Sequence, residues 1–327
     1  MLRLTIATGL YDRTAALHDG RVRPEGLDAT WLALNVEQIF WRMLQHAEFD
    51  ASEMSLASYV IRRDQGHTDL VAIPVYLSRT FRHDCIYVNA DAGIREPQDL
   101  VGRRVGVPEY QITAAVFARG LLSDDFGVDA RQLDWFQGGL EEPGRVPHTK
   151  VEVPDVRIGM IPGDKTLARM LEEGELDALV TPRVPSTFRT GRGKVIRLFA
   201  DPWAQARDYY TRTSIFPIMH LVVVRSPLVA ANPWLPQTLA RAFVAAKAIA
   251  DANLRETAAL PVSLPFLVEH CEETAAMMGG DFWPYGVEPN RATLEAFTRY
   301  AHEQGLIRQR PAIEDLFPAS TQRTSRL

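Results

Sequence analysis

The sequence contains very little cysteine. Cys85 and Cys271 are its only two cysteines among 327 residues, and they do not form a C-x-x-C pair. Zinc ribbons and dithiol redox motifs depend on such pairs, so neither is predicted. Isolated cysteines usually behave as small apolar side chains, and we expect both thiols to be reduced and buried.

An excess of positive charge and a long apolar run are also missing. The formal net charge is −5 at pH 7, so nothing favours nucleic acid or an anionic membrane surface as a partner. No apolar run approaches the ~20 residues that span a bilayer. The first residues, MLRLTIATGLYDR, lack the basic segment and apolar core of a secretory leader. We therefore expect a cytoplasmic protein.

Several motifs that bind cofactors or metals are absent. There is no G-x-x-x-x-G-K-[ST] phosphate loop, no G-x-G-x-x-G dinucleotide fingerprint and no G-x-S-x-G nucleophile turn. The histidines show neither H-x-x-x-H nor H-E-x-x-H spacing, so a metal site built by the protein alone is not predicted. The sequence therefore predicts no cofactor.

Strand and helix patterns alternate along the chain. Continuous or alternating apolar residues predict strands, and apolar residues at helical spacing predict helices. The predicted strands include 2–8, 27–34, 70–76, 85–88, 176–181 and 218–224, and the main predicted helices cover 36–46, 54–63, 111–122, 165–173 and 234–253. The stretch 137–153, rich in glycine, proline and charge, predicts an exposed loop or hairpin.

This alternation predicts an α/β fold in which mostly parallel sheets are flanked by helices. A chain of this length exceeds a single core, so two lobes are expected. We predict lobe 1 from 1–85 plus 218–327 and lobe 2 from 90–215, with hinges near 83–90 and 213–220. Two crossover segments of this kind are typical of a type II periplasmic-binding-protein-like fold. Ligands of such open sheets bind beyond the carboxyl ends of the strands.

Three arginines follow predicted strands and indicate an anion site. They are Arg79, Arg82 and Arg183. A guanidinium group matches a carboxylate with two parallel hydrogen bonds and keeps its charge when it is partly buried. We expect segment 79–83 to lie in the cleft. The alternative is that each arginine pairs with a neighbouring acid at the surface.

Histidines and carboxylates near the same strand ends are candidates for proton transfer. His83 and His220 lie near the two crossovers, so we expect them to lie close together and to act as acid or base. The alternative is that they satisfy hydrogen bonds at the hinge. Glu53 lies at the start of a predicted helix, where it either meets the helix dipole or handles a proton in the cleft. Asp12 and Glu109 compete for that second role.

Three further polar residues are predicted to contact the ligand. Gln111 and Thr113 open the helix predicted in lobe 2, where free backbone N–H groups also favour anions. Tyr11 follows the first predicted strand.

The sequence resembles the 4,5-dihydroxyphthalate decarboxylase family almost from end to end. The similar stretches are GLYDRT (9–14), PEGLD (24–28), FDASEMSLASY (49–59), IPVYLSRTFRHDCIYVN (73–89), DLVGRRVGVPEYQITAAVFARG (99–120), GELDALVTPRVP (174–185), FPIMH (216–220) and DFWPYGVEPNR (281–291). The resemblance implies non-oxidative decarboxylation of 4,5-dihydroxyphthalate to protocatechuate. It implies a small aromatic dicarboxylate as partner and no organic cofactor. It leaves open a divalent metal chelated by the catechol, and a homo-oligomer.

This reaction assigns roles to the candidate residues. The site must hold two carboxylates, accept a phenolic proton and protonate a ring carbon. We expect the carboxylates to bind the three arginines, and His83 or His220 to take the phenolic proton. Glu53 or the other histidine then delivers the carbon proton, while Tyr11, Gln111 and Thr113 bind the diol or a carboxylate. The alternative functions are a non-catalytic solute-binding protein for a small anion, and an enzyme for another aromatic or pyrimidine-like acid.

Overall fold

The computed structural model describes residues 1–147, 149, 151–190 and 193–322. The strands are β1 Leu2–Thr8, β2 Leu27–Ala33, β3 Ala51–Ser55, β4 Leu70–Arg79, β5 Ile86–Asn89, β6 Arg104–Val107, β7 Asp134–Gln137, β8 Ile158–Met160, β9 Ala178–Val180, β10 Val195–Arg197 and β11 Ile218–Arg225. The helices are α1 Asp12–His18, α2 Val36–His46, α3 Leu56–Asp64, α4 Thr113–Phe126, α5 Leu167–Glu172, α6 Ser186–Arg189, α7 Pro202–Thr213, α8 Ser226–Ala231, α9 Leu235–Leu254, α10 Leu267–Met278, α11 Arg291–Glu303 and α12 Ala319–Gln322.

Within the described residues the strands form two sheets. The first has the order β2-β1-β3-β11-β4, and the second has the order β10-β5-β9-β6-β7-β8. In the first sheet β1 runs parallel to β2 and β3, and β11 runs antiparallel to β3 and β4. In the second sheet β6 runs parallel to β7 and β9, while β5 runs antiparallel to β9 and β10. The predicted α/β class with two mostly parallel sheets is confirmed.

The chain passes from the first sheet to the second between β4 and β5 and returns between β10 and β11. The exact division of the chain into lobes stays a prediction. Helix α11, near the C-terminus, packs on α4 of the second sheet, where the rings of Phe117 and Phe297 lie 5.4 Å apart. The Tyr59 hydroxyl on α3 donates to the carbonyl oxygen of Leu316 at 2.7 Å. The C-terminal segment therefore contacts α3, which follows a strand of the first sheet, and α4, which follows a strand of the second.

One predicted element is wrong at its start. The helix predicted over 54–63 begins at Leu56, and the residues before it form strand β3. All five residues of this strand are buried, because it lies between β1 and β11. Ser55 ends the strand and caps α3, since its hydroxyl accepts a hydrogen bond from the backbone N–H of Ser58 at 3.3 Å. Local sequence favoured helix here, but pairing with two neighbouring strands decides the conformation.

The carboxyl ends of strands β1, β3 and β4 lie along one edge of the first sheet. Strand β11 begins at the same edge, as the pairing of Ile218 with Arg79 shows. The segments that follow β6 and β9 in the second sheet contact this side of the first sheet and its helices through Thr113 and Arg183. The carboxyl ends of parallel strands therefore face each other across a cleft, which is where open α/β sheets bind ligands. No helix in the described part of the chain is long and apolar enough to cross a membrane.

Candidate active site

Glu53 is the best connected carboxylate at this edge. It lies in β3, and its side chain is 0% exposed. Its Oε1 accepts hydrogen bonds from the Tyr11 hydroxyl at 2.8 Å and from His220 Nδ1 at 2.7 Å, and its Oε2 accepts one from the Gly9 N–H at 2.8 Å. Burial by itself raises the pKa of Glu53, but His220 and the other two donors more than offset this, and the pKa lies below its usual value. The helix-dipole interpretation of Glu53 is wrong, because the residue lies within a strand.

Tyr11 completes this cluster from the turn after β1. Burial, followed by the negative charge of Glu53, raises the pKa of Tyr11 above its usual value, so the phenol stays protonated and donates. Its ring lies close to the backbone of Gly9, where a Cβ atom would approach ring atoms to 2.6 Å. The glycine therefore permits the approach that brings the hydroxyl to Glu53. The guanidinium of Arg13 lies over the same ring, 4.2 Å from its centroid.

His220 presents the reactive nitrogen of the cluster. An ionised carboxylate can only accept hydrogen bonds, so Nδ1 of His220 is the donor to Glu53. In the neutral imidazole Nε2 then carries the lone pair, and it has no hydrogen-bond partner among the described residues. The side chain is 18% exposed, and the ring of Phe40 on α2 meets it edge-on at 4.8 Å. A base oriented by a buried carboxylate is an arrangement that serves proton transfer.

Thr113, the first residue of α4, joins the second sheet to this edge. Its hydroxyl lies 3.0 Å from Ser55 Oγ and accepts a hydrogen bond from the Ala57 N–H at 3.0 Å. Ser55 pairs directly with His220 in the register of β3 and β11. Thr113 therefore lies next to the Glu53–His220 cluster, and its hydroxyl bonds to residues of the first sheet and α3. Its predicted contact with the ligand stays a prediction.

A network of charged and polar side chains spans the cleft between the two sheets. Gln111 Nε2 donates to Glu109 Oε2 at 2.7 Å, and Arg145 Nη2 donates to Glu109 Oε1 at 2.6 Å. Arg145 also pairs with Glu37 on α2 at 3.3 Å, and Arg183 pairs with Glu37 at 2.8 Å. These contacts connect Gln111 to Arg183 through Glu109, Arg145 and Glu37. Arg183 is in an ion pair with an acid, which is the alternative considered for the arginines.

Arg145 is a site residue that the sequence prediction missed. It lies in the predicted loop 137–153, of which residues 148 and 150 fall outside the described residues. Loop residues carry no periodicity that indicates which way they point, so the sequence offered no signal for Arg145 beyond its charge.

The guanidinium group of Arg79 is bound to the C-terminal segment and to the segment that precedes β11. Its guanidinium donates to Asn290 Oδ1 and to the carbonyl oxygen of Phe216, both at 2.7 Å, and to that of Pro284 at 3.3 Å. The residue is 6% exposed, and burial lowers its pKa to about 10. These contacts fasten the C-terminal segment to the end of β4. They do not support the predicted contact of Arg79 with a substrate carboxylate.

Arg82 and His83 lie on the connection between the sheets. Arg82 Nε contacts Met219 Sδ at 3.1 Å, next to His220 in β11. His83 is 2% exposed and packs against the rings of Phe199 and Tyr209. Burial lowers the pKa of His83 to about 4. No hydrogen bond between described residues joins His83 to the Glu53–His220 pair.

Metal-binding chemistry is poorly represented in the described part of the chain. No group of three or more histidine, cysteine, aspartate or glutamate side chains there is arranged to hold a metal ion. Cys85 and Cys271 are both buried and form no disulfide.

Two curated relatives match most of the chain, whereas no protein-family model matches it. A 4,5-dihydroxyphthalate decarboxylase from Comamonas testosteroni is 40% identical over 321 residues, which cover 98% of this chain and 97% of that protein. A 4,5-dihydroxyphthalate decarboxylase from Pseudomonas putida is 43% identical over 214 residues, or 65% of this chain and 83% of that protein.

Solved structures support the fold. The periplasmic aliphatic sulphonate binding protein of Escherichia coli superposes with a TM-score of 0.53 at 14% identity, and the match covers 97% of each chain. This likeness confirms the predicted two-lobed, type II periplasmic-binding-protein-like fold. The length and identity of the first match establish the closer relationship: the chain belongs to the 4,5-dihydroxyphthalate decarboxylase family.

Proposed function

We propose that this chain is a carboxy-lyase that converts 4,5-dihydroxyphthalate to protocatechuate without oxidation. The observation that carries the proposal is the contact of a buried, ionised Glu53 with His220 Nδ1 at 2.7 Å, which leaves Nε2 as a base in the cleft. A protein that only binds a solute needs no such pair. The substrate is taken from the relatives' names, and the geometry supports the proton transfer that it requires.

The chemistry needs a base because direct loss of CO2 from an aryl carboxylate leaves an unstabilised carbanion. In the proposed route the ring carbon that bears the carboxylate gains a proton from solvent, while the hydroxyl para to it loses its proton. His220 Nε2 takes that phenolic proton, and Glu53 stabilises the imidazolium. CO2 then leaves as aromaticity returns, and the imidazolium gives its proton back to the phenolate. The net reaction consumes one proton and needs no organic cofactor.

Glu53 acts in this route through the imidazole. Both of its oxygens already accept hydrogen bonds, and its lowered pKa keeps it ionised, so it is a poor proton donor to carbon. We assign it as a positioning residue for His220. The sequence had instead made it a candidate for the acid that protonates the ring carbon.

Arg145 and Arg183 are the cations we assign to the substrate carboxylates. Both pair with Glu37, whose side chain is 39% exposed, so a dianionic ligand can displace it. Glu37 and Phe40 lie one turn apart on α2 and share a face of the helix, and Phe40 contacts His220. The two arginines therefore lie on the side of the cleft from which a bound ring reaches the base. Reduced, unpaired cysteines are consistent with the cytoplasmic location that we propose.

The test is turnover by the purified protein. We expect CO2 and protocatechuate to form from 4,5-dihydroxyphthalate, and His220→Gln to lower kcat by about 10²–10⁴. His270→Gln, an exposed histidine on α10, is the matched control and should keep wild-type kcat. Tight binding of the diacid without turnover would instead favour the solute-binding alternative.

A further inference from the structure

The side-chain amide of Gln111 has an oxygen that nothing in the described residues satisfies. Gln111 is 2% exposed, and its Nε2 donates to Glu109 Oε2 at 2.7 Å. Its Oε1 is buried and has no hydrogen-bond partner among the residues that the structure describes. Buried side-chain acceptors without a partner are uncommon, and each one calls for an explanation.

The direction of this amide is fixed by chemistry. Glu109 accepts hydrogen bonds from Arg145 Nε at 3.1 Å and Nη2 at 2.6 Å on one oxygen, and from Gln111 on the other. A carboxylate held by a guanidinium is ionised and can only accept, so the NH2 group of Gln111 must face it. Turning the amide over would set its oxygen against the carboxylate. The free group of Gln111 is therefore an acceptor.

Two independent lines of contact place Gln111 beside the acid–base cluster. Along the backbone, Gln111 lies two residues before Thr113, whose hydroxyl lies 3.0 Å from that of Ser55, the register partner of His220. Through side chains, the same Arg145 that holds Glu109 reaches Glu37. One turn further along α2, Phe40 meets the ring of His220 at 4.8 Å.

We propose that Gln111 Oε1 accepts a hydrogen bond from a ring hydroxyl of the substrate and so selects hydroxylated aromatic acids over unhydroxylated ones. A carboxylate cannot satisfy this oxygen, because at neutral pH it brings only acceptors. A phenolic hydroxyl brings the donor that the oxygen lacks. The substrate class rests on the proposed function, but the preference for a hydroxyl donor follows from the amide alone.

The expected preference is substantial. Leaving a buried acceptor unpaired against an unhydroxylated ligand corresponds to a loss of about 10- to 100-fold in affinity. The experiment measures the dissociation constants of benzoate and of protocatechuate (3,4-dihydroxybenzoate, the dihydroxy acid) by titration calorimetry. Neither ligand undergoes the proposed reaction, so turnover does not interfere. We expect wild-type protein to favour the dihydroxy acid, and Gln111→Leu to reduce the ratio of the two constants about 10-fold with little change for benzoate.

Gln98→Leu, an exposed glutamine near the second sheet, is the matched control and should keep the wild-type ratio. Gln111→Met, of similar size and shape, repeats the test if the leucine variant does not fold. A wild-type ratio in the folded Gln111 variant, or no preference in the wild type, would overturn the inference.

Glu109→Gln tests the positioning of the amide. Arg145 should hold the new amide by its oxygen, which turns its NH2 group toward Gln111. Gln111 should then turn over and present its own NH2 group to the ligand. Because a phenolic hydroxyl can accept as well as donate, the turned amide can still bind it, so we expect this variant to keep most of the preference for the dihydroxy acid that Gln111→Leu loses. A loss as large as that of Gln111→Leu contradicts the inference. If the ratios of dissociation constants are as predicted but the protein does not turn over 4,5-dihydroxyphthalate, the proposed function is refuted and the inference about Gln111 stands.

Discussion

Replacing Glu53 by glutamine removes one charge, keeps the shape of the side chain and should change the tautomer of His220. Glu53 Oε2 accepts from the Gly9 N–H, while Oε1 accepts from Tyr11 and from His220 Nδ1. If the amide oxygen stays at Gly9, the NH2 group faces His220, which must then offer a lone pair at Nδ1 and carry its proton on Nε2. The base is lost in that tautomer.

The opposite orientation of the amide is costly. It sets the NH2 group against the Gly9 N–H and leaves a buried donor unpaired, at about 1–3 kcal/mol. By the factor of ten per 1.4 kcal/mol, the wrong tautomer alone accounts for about a 10- to 100-fold loss. The missing charge also no longer stabilises the imidazolium. We therefore expect Glu53→Gln to lower kcat by about 10²–10⁴, with KM little changed, because no carboxylate-binding arginine is touched.

The assay is initial-rate formation of protocatechuate as a function of pH, with folding checked by circular dichroism. Glu273→Gln, an exposed glutamate on α10, is the matched control. A kcat within about threefold of wild type, together with the wild-type pH profile, would refute the assignment of Glu53 to the orientation of His220.

Three further predictions concern residues that the sequence placed in the cleft. Because the pKa of His83 is lowered from 6.5 to about 4, folding favours its neutral form, so its contribution to stability is full above pH 6.5 and is lost as the pH falls toward 4. The loss is about 2–4 kcal/mol, and chemical denaturation of His83→Gln should show a weaker pH dependence in that window than wild type; equal slopes would contradict the burial argument. Arg79→Met should lower the free energy of unfolding by about 2–4 kcal/mol without raising KM, because it leaves the buried Asn290 Oδ1 unpaired and removes one hydrogen bond from each of two carbonyl groups. Arg183→Met should raise KM and leave the free energy of unfolding nearly unchanged. A rise in KM for Arg79→Met but not for Arg183→Met would instead support the predicted contact of Arg79 with a substrate carboxylate.

Much of the fold was predictable because apolar periodicity reports burial directly. Strands β1 and β11 and helix α2 fall where the pattern predicts them. Strand β3 was not, since the residues ASEMS carry no strand periodicity and become a strand by lying between two others. The site followed the same division. Tyr11 and His220, which lie at the ends of strongly predicted strands, were predicted as site residues, whereas Arg145 in an aperiodic loop was not.

The sequence by itself determined the α/β class, the family and the set of polar residues at the strand ends. Local propensity and the order of elements along the chain carry that information. Only the tertiary structure decided which of those residues contact one another. It pairs His220 with Glu53 across strand register, directs Arg79 into the C-terminal segment and surrounds His83 with aromatic rings. Glu53 and His220 are 167 residues apart in sequence, and Arg79 and Asn290 are 211 residues apart. No local pattern encodes contacts over such separations.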